Sequence, residues 1–209
     1  MLQLFLLVFG ALFSVMNPFG SVPIFVSLTK EDSVKERQRV ALWTSINVLI
    51  ILLISFFIGK FVLLFFGISL NSLKIAGGLI IATSGFALLK GEFTKHKGMK
   101  RENVQEDITT RDDIALTPLA LPMIAGPGTI SLLITYNQEY RGWENVVAIL
   151  AAILLSSVTI FLILRSSYLI ADKLGASGIN ALSRIIGFIV IAIGIEFIIS
   201  ATVQVFNIN

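Results

Sequence analysis

The first apolar run of this chain is interrupted by "SVMNPFGSVP", Ser14 to Pro23, which sets Asn17, Pro18, Gly20 and Pro23 where a helix tolerates them least. The other three of the five prolines fall in "TPLALPMIAGPGTIS", Thr117 to Ser131, inside a second apolar run. A proline within a helix removes a backbone hydrogen bond and clashes with the preceding turn, at about 3 kcal/mol in water. In lipid the freed carbonyls need partners from protein, ligand or trapped water. A half-helix that restarts after such a break turns free N–H groups and partial positive charge toward the gap, which suits an anionic group. The half-helix that ends there presents carbonyls, which suit a cation. A small zwitterion uses both. The candidate substrate-binding set is therefore Asn17, Pro18, Gly20 and Ser21 at the first break, with Gly126, Pro127, Gly128 and Thr129 at the second. The plainer alternative is a pair of proline kinks that only shape a helix bundle.

Other polar residues in apolar surroundings are few. Glu196, in "IGIEFIIS", is a carboxyl near the middle of the last apolar run, where an ionisable group by default marks a proton relay, an ion site or a substrate contact. It is the candidate for proton or cation coupling, against the alternative of a protonated acid bonded to a neighbouring helix. Asn47 and Asn71 are weaker candidates, since an intramembrane asparagine often serves only as glue between helices. Lys60, Lys74 and Arg184 lie near the ends of apolar runs and read as side chains that reach for the interface. The lone histidine, His96, sits between Lys95 and Lys97 and reads as solvated. There is no cysteine, no histidine pair, no phosphate-binding glycine loop and no nucleophile motif. Neither an enzyme, a metal site, a bound cofactor nor nucleic-acid binding is expected.

The elements that must position these residues follow from composition. The 209 residues are 56% hydrophobic and 14% charged, with a mean hydropathy of +0.90. A soluble domain would need far more charge on its surface, and several runs reach the roughly 20 apolar residues that cross a bilayer. Spans are expected over Leu2–Leu28, Val40–Phe66, Leu73–Leu89, Ile114–Tyr136, Val146–Leu164 and Leu182–Phe206. The first has no basic residue ahead of it and outruns a signal core, so it reads as a mature helix. Lys30, Lys35, Arg37 and Arg39 occupy the first joint, and Lys90, Lys95, Lys97, Lys100, Arg101 and Arg111 the third. Arg165 and Lys173 mark the fifth, whereas the second has none and the fourth only Arg141. The bias of basic residues toward the cytoplasm places those three joints inside and both termini outside.

A shift of 109 residues carries Pro18 onto Pro127, Asn71 onto Asn180, Gly78 onto Gly187 and Gly85 onto Gly194. The expected fold is an all-α polytopic membrane protein of six transmembrane helices in two inverted three-helix repeats, residues 1–89 and 114–209. A charged cytoplasmic connector, 90–113, joins them. Three spans per half mean that the second half enters from the opposite side, and helices 1 and 4 are broken near the midplane. Interrupted segments at matching positions of inverted halves point to a transporter's substrate site. The seven-residue glycine spacing in spans three and six predicts close helix packing.

The segments "MNPFGSVPIF" (Met16–Phe25), "LKIAGGLI" (Leu73–Ile80), "DDIALTPLALPMIAGPGTIS" (Asp112–Ser131) and "LSRIIGFIVIAIGIEFI" (Leu182–Ile198) together resemble the MarC family of bacterial and archaeal inner-membrane proteins. The resemblance covers essentially the whole chain. It implies six helices, a multi-pass place in the cytoplasmic (inner) membrane, and secondary transport of small neutral amino acids such as glycine and alanine. Asn17, Pro18, Gly20, Gly126, Pro127 and Gly128 would then touch the substrate. The expected function is such a transporter, with proton coupling and alternating access by rocking of the two halves. The alternatives are an exporter of another small metabolite or drug, and a non-transporting subunit that docks a partner through the charged connector. An oligomer is compatible with each.

Overall fold

The computed structural model describes residues 1–91 and 115–206, and among these every regular element is helical. In chain order they are α1 (Leu2–Met16), α2 (Pro18–Leu28), α3 (Val34–Phe66), α4 (Leu70–Lys90), α5 (Ala115–Ile124), α6 (Pro127–Glu139), α7 (Trp143–Arg165) and α8 (Ser167–Phe206). The expected connector, with His96, lies outside the described residues beyond Gly91, as does Ile114. Helices α3, α4, α7 and α8 are each long and apolar enough to cross a bilayer, and α1 with α2, bent by 41°, makes a fifth crossing if the pair is one span. The fourth expected span falls on α5 and α6, of 10 and 13 residues, neither long enough alone.

Local sequence explains the helix ends. Ser33 and Glu36 close a capping box at the start of α3: Glu36 N–H donates to Ser33 Oγ at 3.3 Å, and Ser33 N–H to Glu36 Oε2 at 2.8 Å. Gly67 (φ 65°) and Gly91 (φ 73°) terminate α3 and α4 in the left-handed conformation that glycine adopts without penalty. Gly175 (φ 61°, ψ 178°) breaks α8 after its first two turns. In α5 the winding is wide, and Thr117 (φ −129°, ψ 121°) and Leu121 (φ −116°, ψ 135°) are extended. Each precedes a proline, which disfavours helical backbone at the residue before it.

The path of the chain defines two faces. Helix α2 ends and α3 begins at a face carrying Lys30, Lys35, Arg37 and Arg39. At the opposite face α3 ends, α4 begins and α6 ends, where Lys74 Nζ meets Glu139 Oε1 at 2.5 Å. Helix α7 returns to the basic face, where Tyr168 reaches Thr29. The strongest packing joins elements across the sequence midpoint: α4 on α8, α3 on α5, α6 and α7, α1 on α7, and α2 on α8.

The α4–α8 seam is antiparallel and built on glycine. A Cβ at Gly78 would lie 2.5 Å from the Gly194 carbonyl oxygen, and one at Gly85 2.7 Å from that of Gly187. The converse approaches, Gly187 to Gly85 O at 2.9 Å and Gly194 to Gly78 O at 2.6 Å, are as close. The seven-residue spacing is thus the mark of a backbone-to-backbone contact. A side chain here must push two backbones apart, an overpacking typically worth about 1–3 kcal/mol. We expect Gly85→Val to lower the melting temperature of the detergent-solubilised protein by about 2–12 °C. Gly10→Val, at a position with nothing within 4 Å, should leave it unchanged, as followed by the loss of monodisperse elution on heating.

Candidate functional site

The first break centres on Asn17, in the left-handed conformation (φ 43°, ψ 67°), the only non-glycine residue with positive φ among the described residues. Asparagine tolerates this conformation better than other side-chain-bearing residues because its short polar side chain bonds locally. Its N–H donates to Phe13 O at 3.1 Å and closes α1. Its carbonyl and Oδ1 accept the Gly20 N–H at 3.0 and 3.4 Å and open α2. Pro18 occupies the first helical position, where its missing N–H is no loss. Ser21 Oγ donates to Pro18 O at 2.6 Å, so that hydroxyl is committed to the backbone. Asn17 is 0% exposed, yet its Nδ2 has no hydrogen-bond partner among the described residues. A buried unpaired donor costs about 1–3 kcal/mol unless a water or ligand takes it. Pro23 sits inside α2 without breaking it.

The second break repeats this design with a different residue. Gly126 (φ −78°, ψ 175°) precedes Pro127 at the first position of α6, as Asn17 precedes Pro18, but no side chain caps the helix. Thr129, 1% exposed, reaches back with Oγ1 to Ile124 O at 3.5 Å. Gly126, Pro127, Gly128 and Thr129 line a small recess of ≈ 30 Å³, partly open to the outside, together with Val15, Ile80, Ile81, Ser84 and Ile124. Val15 Cγ1 lies 3.6 Å from where a Gly128 Cβ would be. The end of α1 therefore meets the start of α6, and the two breaks adjoin.

The expected site residues divide accordingly. The four residues of the second break share the recess, whereas of the first break only the preceding residue Val15 lines it, and Asn17, Pro18, Gly20 and Ser21 do not. Asn47 is half-buried on α3, and Asn71 is half-buried in the first turn of α4. Glu196 is exposed on the flank of α8 and lines no part of the recess. Among the described residues no group of three or more His, Cys, Asp or Glu could hold a metal. Ile80, Ile81 and Ser84 of α4 were not anticipated, although Ser84 beside Gly85 is a polar residue inside a span. Lys74 is a correction. It is 2% exposed and bonded to Glu139 rather than extended to the interface, because α6 brings a carboxylate to it from 65 residues away.

Comparison with known proteins shows the family of the chain. The family described as MarC family integral membrane protein matches residues 2–206. A membrane protein of Buchnera aphidicola subsp. Baizongia pistaciae is 38% identical over 193 residues, 92% of this chain and 89% of that one. One from the archaeon Methanocaldococcus jannaschii is 38% identical over 199 residues, 95% and 96% of the two chains. The inner membrane protein MarC of Citrobacter koseri is 34% identical over 202 residues, 93% and 91%. No solved structure matches the chain. With membrane-length helices, proline breaks at matching positions and a match along nearly its whole length, this multi-pass protein belongs to the MarC family of integral membrane proteins.

Proposed function

We propose that the protein is a secondary transporter of small neutral amino acids of glycine or alanine size, which holds its substrate between the two adjoining helix breaks. The observation that carries this reading is the uncapped start of α6, set in the recess beside Val15 at the end of α1, together with the buried, unpaired amide of Asn17 two residues further along the chain. Helix N-terminal N–H groups suit a carboxylate, and the carbonyls that end α1 and α5 suit an ammonium group. The recess as it stands has ≈ 30 Å³ of free space, room for about one water. A solute therefore enters only once the half-helices part, and the smallest amino acids ask least of that movement.

Six crossings in two inverted repeats form part of the proposal, and the glycine seam supports it. The 109-residue shift equates Gly78 with Gly187 and Gly85 with Gly194, yet Gly78 packs on Gly194 and Gly85 on Gly187. Such exchanged pairing is what a two-fold axis between the helices produces. The packing of α2 on α8 and of α6 on α4 is exchanged in the same way. The basic face is then cytoplasmic and both termini are outside. Because each half packs mainly on the other, alternating access is assigned to the half-helices α2 and α6 rather than to rocking of whole halves.

Uptake of labelled alanine into proteoliposomes, with and without a proton gradient, is the test. Uptake of no small neutral amino acid under either condition would remove the reading. Asn17→Ala is expected to cut uptake about 10- to 100-fold, the worth of a hydrogen bond to a charged group. Gly128→Leu should abolish it in protein that still elutes as a single species. Glu196→Gln should keep gradient-free uptake at the wild-type level, and a loss confined to the gradient-driven part would assign that carboxyl to coupling.

A further inference from the structure

The two half-helices that restart after the breaks, α2 and α6, end at opposite faces, and each end is fastened by long-range contacts of a different kind. At the basic face the last carbonyls of α2 have outgrown their own helix and need donors. Tyr168 Oη donates to Thr29 O at 2.8 Å and lies 3.3 Å from Val26 O. Arg37 donates from Nε to Thr29 O at 3.1 Å and from Nη2 to Lys30 O at 3.0 Å. Its guanidinium also stacks 3.7 Å from the Tyr168 ring centroid. Arg37 thereby puts a positive charge at the negative end of α2. Thr29, at the centre of these contacts, is 0% exposed.

At the opposite face the chemistry is ionic. Glu139 is the last residue of α6, where a carboxylate is repelled by the helix dipole. The ammonium group of Lys74, in the first turn of α4, meets it at 2.5 Å with its side chain only 3% exposed. Ser131 Oγ donates to Leu73 O at 3.2 Å and packs α6 further onto α4. The Glu139 side chain is 29% exposed, but the lysine end is buried, so removing the carboxylate leaves that ammonium charge uncompensated.

We propose that these are two clasps, one at each face, and that releasing either frees the adjoining half-helix to open the site toward that face alone. Tyr168 and Arg37 hold α2 shut, and Lys74 with Glu139 holds α6 shut. The structure is the state with both closed. The proposal rests on the reading that substrate sits between the breaks, but its test needs no substrate.

The absence of cysteine allows single reporters. Phe25→Cys on α2 and Ile134→Cys on α6 stand at equivalent places under the 109-residue shift, and both native residues are buried. Membrane-impermeant maleimide is applied to one side at a time of vesicles of known orientation. Tyr168→Phe should raise labelling of the α2 reporter from the basic face about 3- to 10-fold, the worth of one hydrogen bond, and leave the α6 reporter unchanged. Glu139→Gln should raise labelling of the α6 reporter from the opposite face about tenfold or more and leave the α2 reporter unchanged. The paired replacement Lys74→Ala with Glu139→Ala, which removes both charges and the contact between the side chains, should give the same side-specific rise if the single variant folds poorly. The charge-reversed pair Lys74→Glu with Glu139→Lys should restore protection. A rise of both reporters in either variant would mean general loosening and would overturn the proposal, as would no rise in any variant. Should side-specific opening be found while no amino acid is transported, the clasps would stand and the substrate reading would fall.

Discussion

A buried backbone that stops being helical must find partners for its N–H and C=O groups, and this structure meets that demand twice, at Asn17 and at Gly126. At Asn17 the side chain supplies part of the answer. Its Oδ1 accepts an N–H of the next helix, and its tolerance of the left-handed conformation lets α1 end and α2 begin within one residue. At Gly126 there is no side chain to help, and the start of α6 faces a recess instead. Packing around both breaks is therefore cross-chain. Val15 closes on Gly128, α5 is buried against α3, and α4 supplies Ile80, Ile81 and Ser84 to the recess wall.

The same demand explains why the two halves interlock. Two three-helix halves lying side by side would leave each broken helix flanked by lipid on one side. Here α2 is covered by α7 and α8, and α6 by α3 and α4. The α4–α8 seam makes that coverage tight, since its glycines bring backbone to backbone without side chains between. A seam of that kind is stiff, because interiors packed to this density do not deform continuously. The half-helices, each held at its outer end by a few polar contacts, are the natural moving parts.

Much of this was legible in the sequence, for identifiable reasons. Hydropathy located α3, α4, α7 and the long part of α8 because a bilayer imposes length and apolarity directly. The breaks at Pro18 and Pro127 were legible because each proline follows a residue, Asn17 or Gly126, that readily leaves helical geometry. Pro23 misleads on the same criterion: it follows Val22, which stays helical, and α2 continues through it. Lys74 was misplaced because its environment is set by Glu139, a residue that hydropathy assigns to a loop. The clasp of Tyr168 on Thr29 joins residues 139 apart, and neither residue type announces such a contact. Ser84 was overlooked because its place on the recess depends on which face of α4 turns toward α6, and that face is chosen by the glycine seam behind it.

The scaffold is close to symmetric and its polar chemistry is not. One break carries an asparagine with a spare amide, and the other carries a glycine and an uncapped helix start. One outer end is held by an arginine and a tyrosine, and the other by an ion pair whose lysine alone is buried. A symmetric site would offer two like charges or two like dipoles to a solute and would suit a symmetric ion. An unsymmetric one can address the two ends of a zwitterion separately. The unlike fastenings have the same logic, because they let the energies of the two closed faces be set independently. In the proposed inverted-repeat arrangement, unequal residues at equivalent positions are what would give a moving pair of helices a direction.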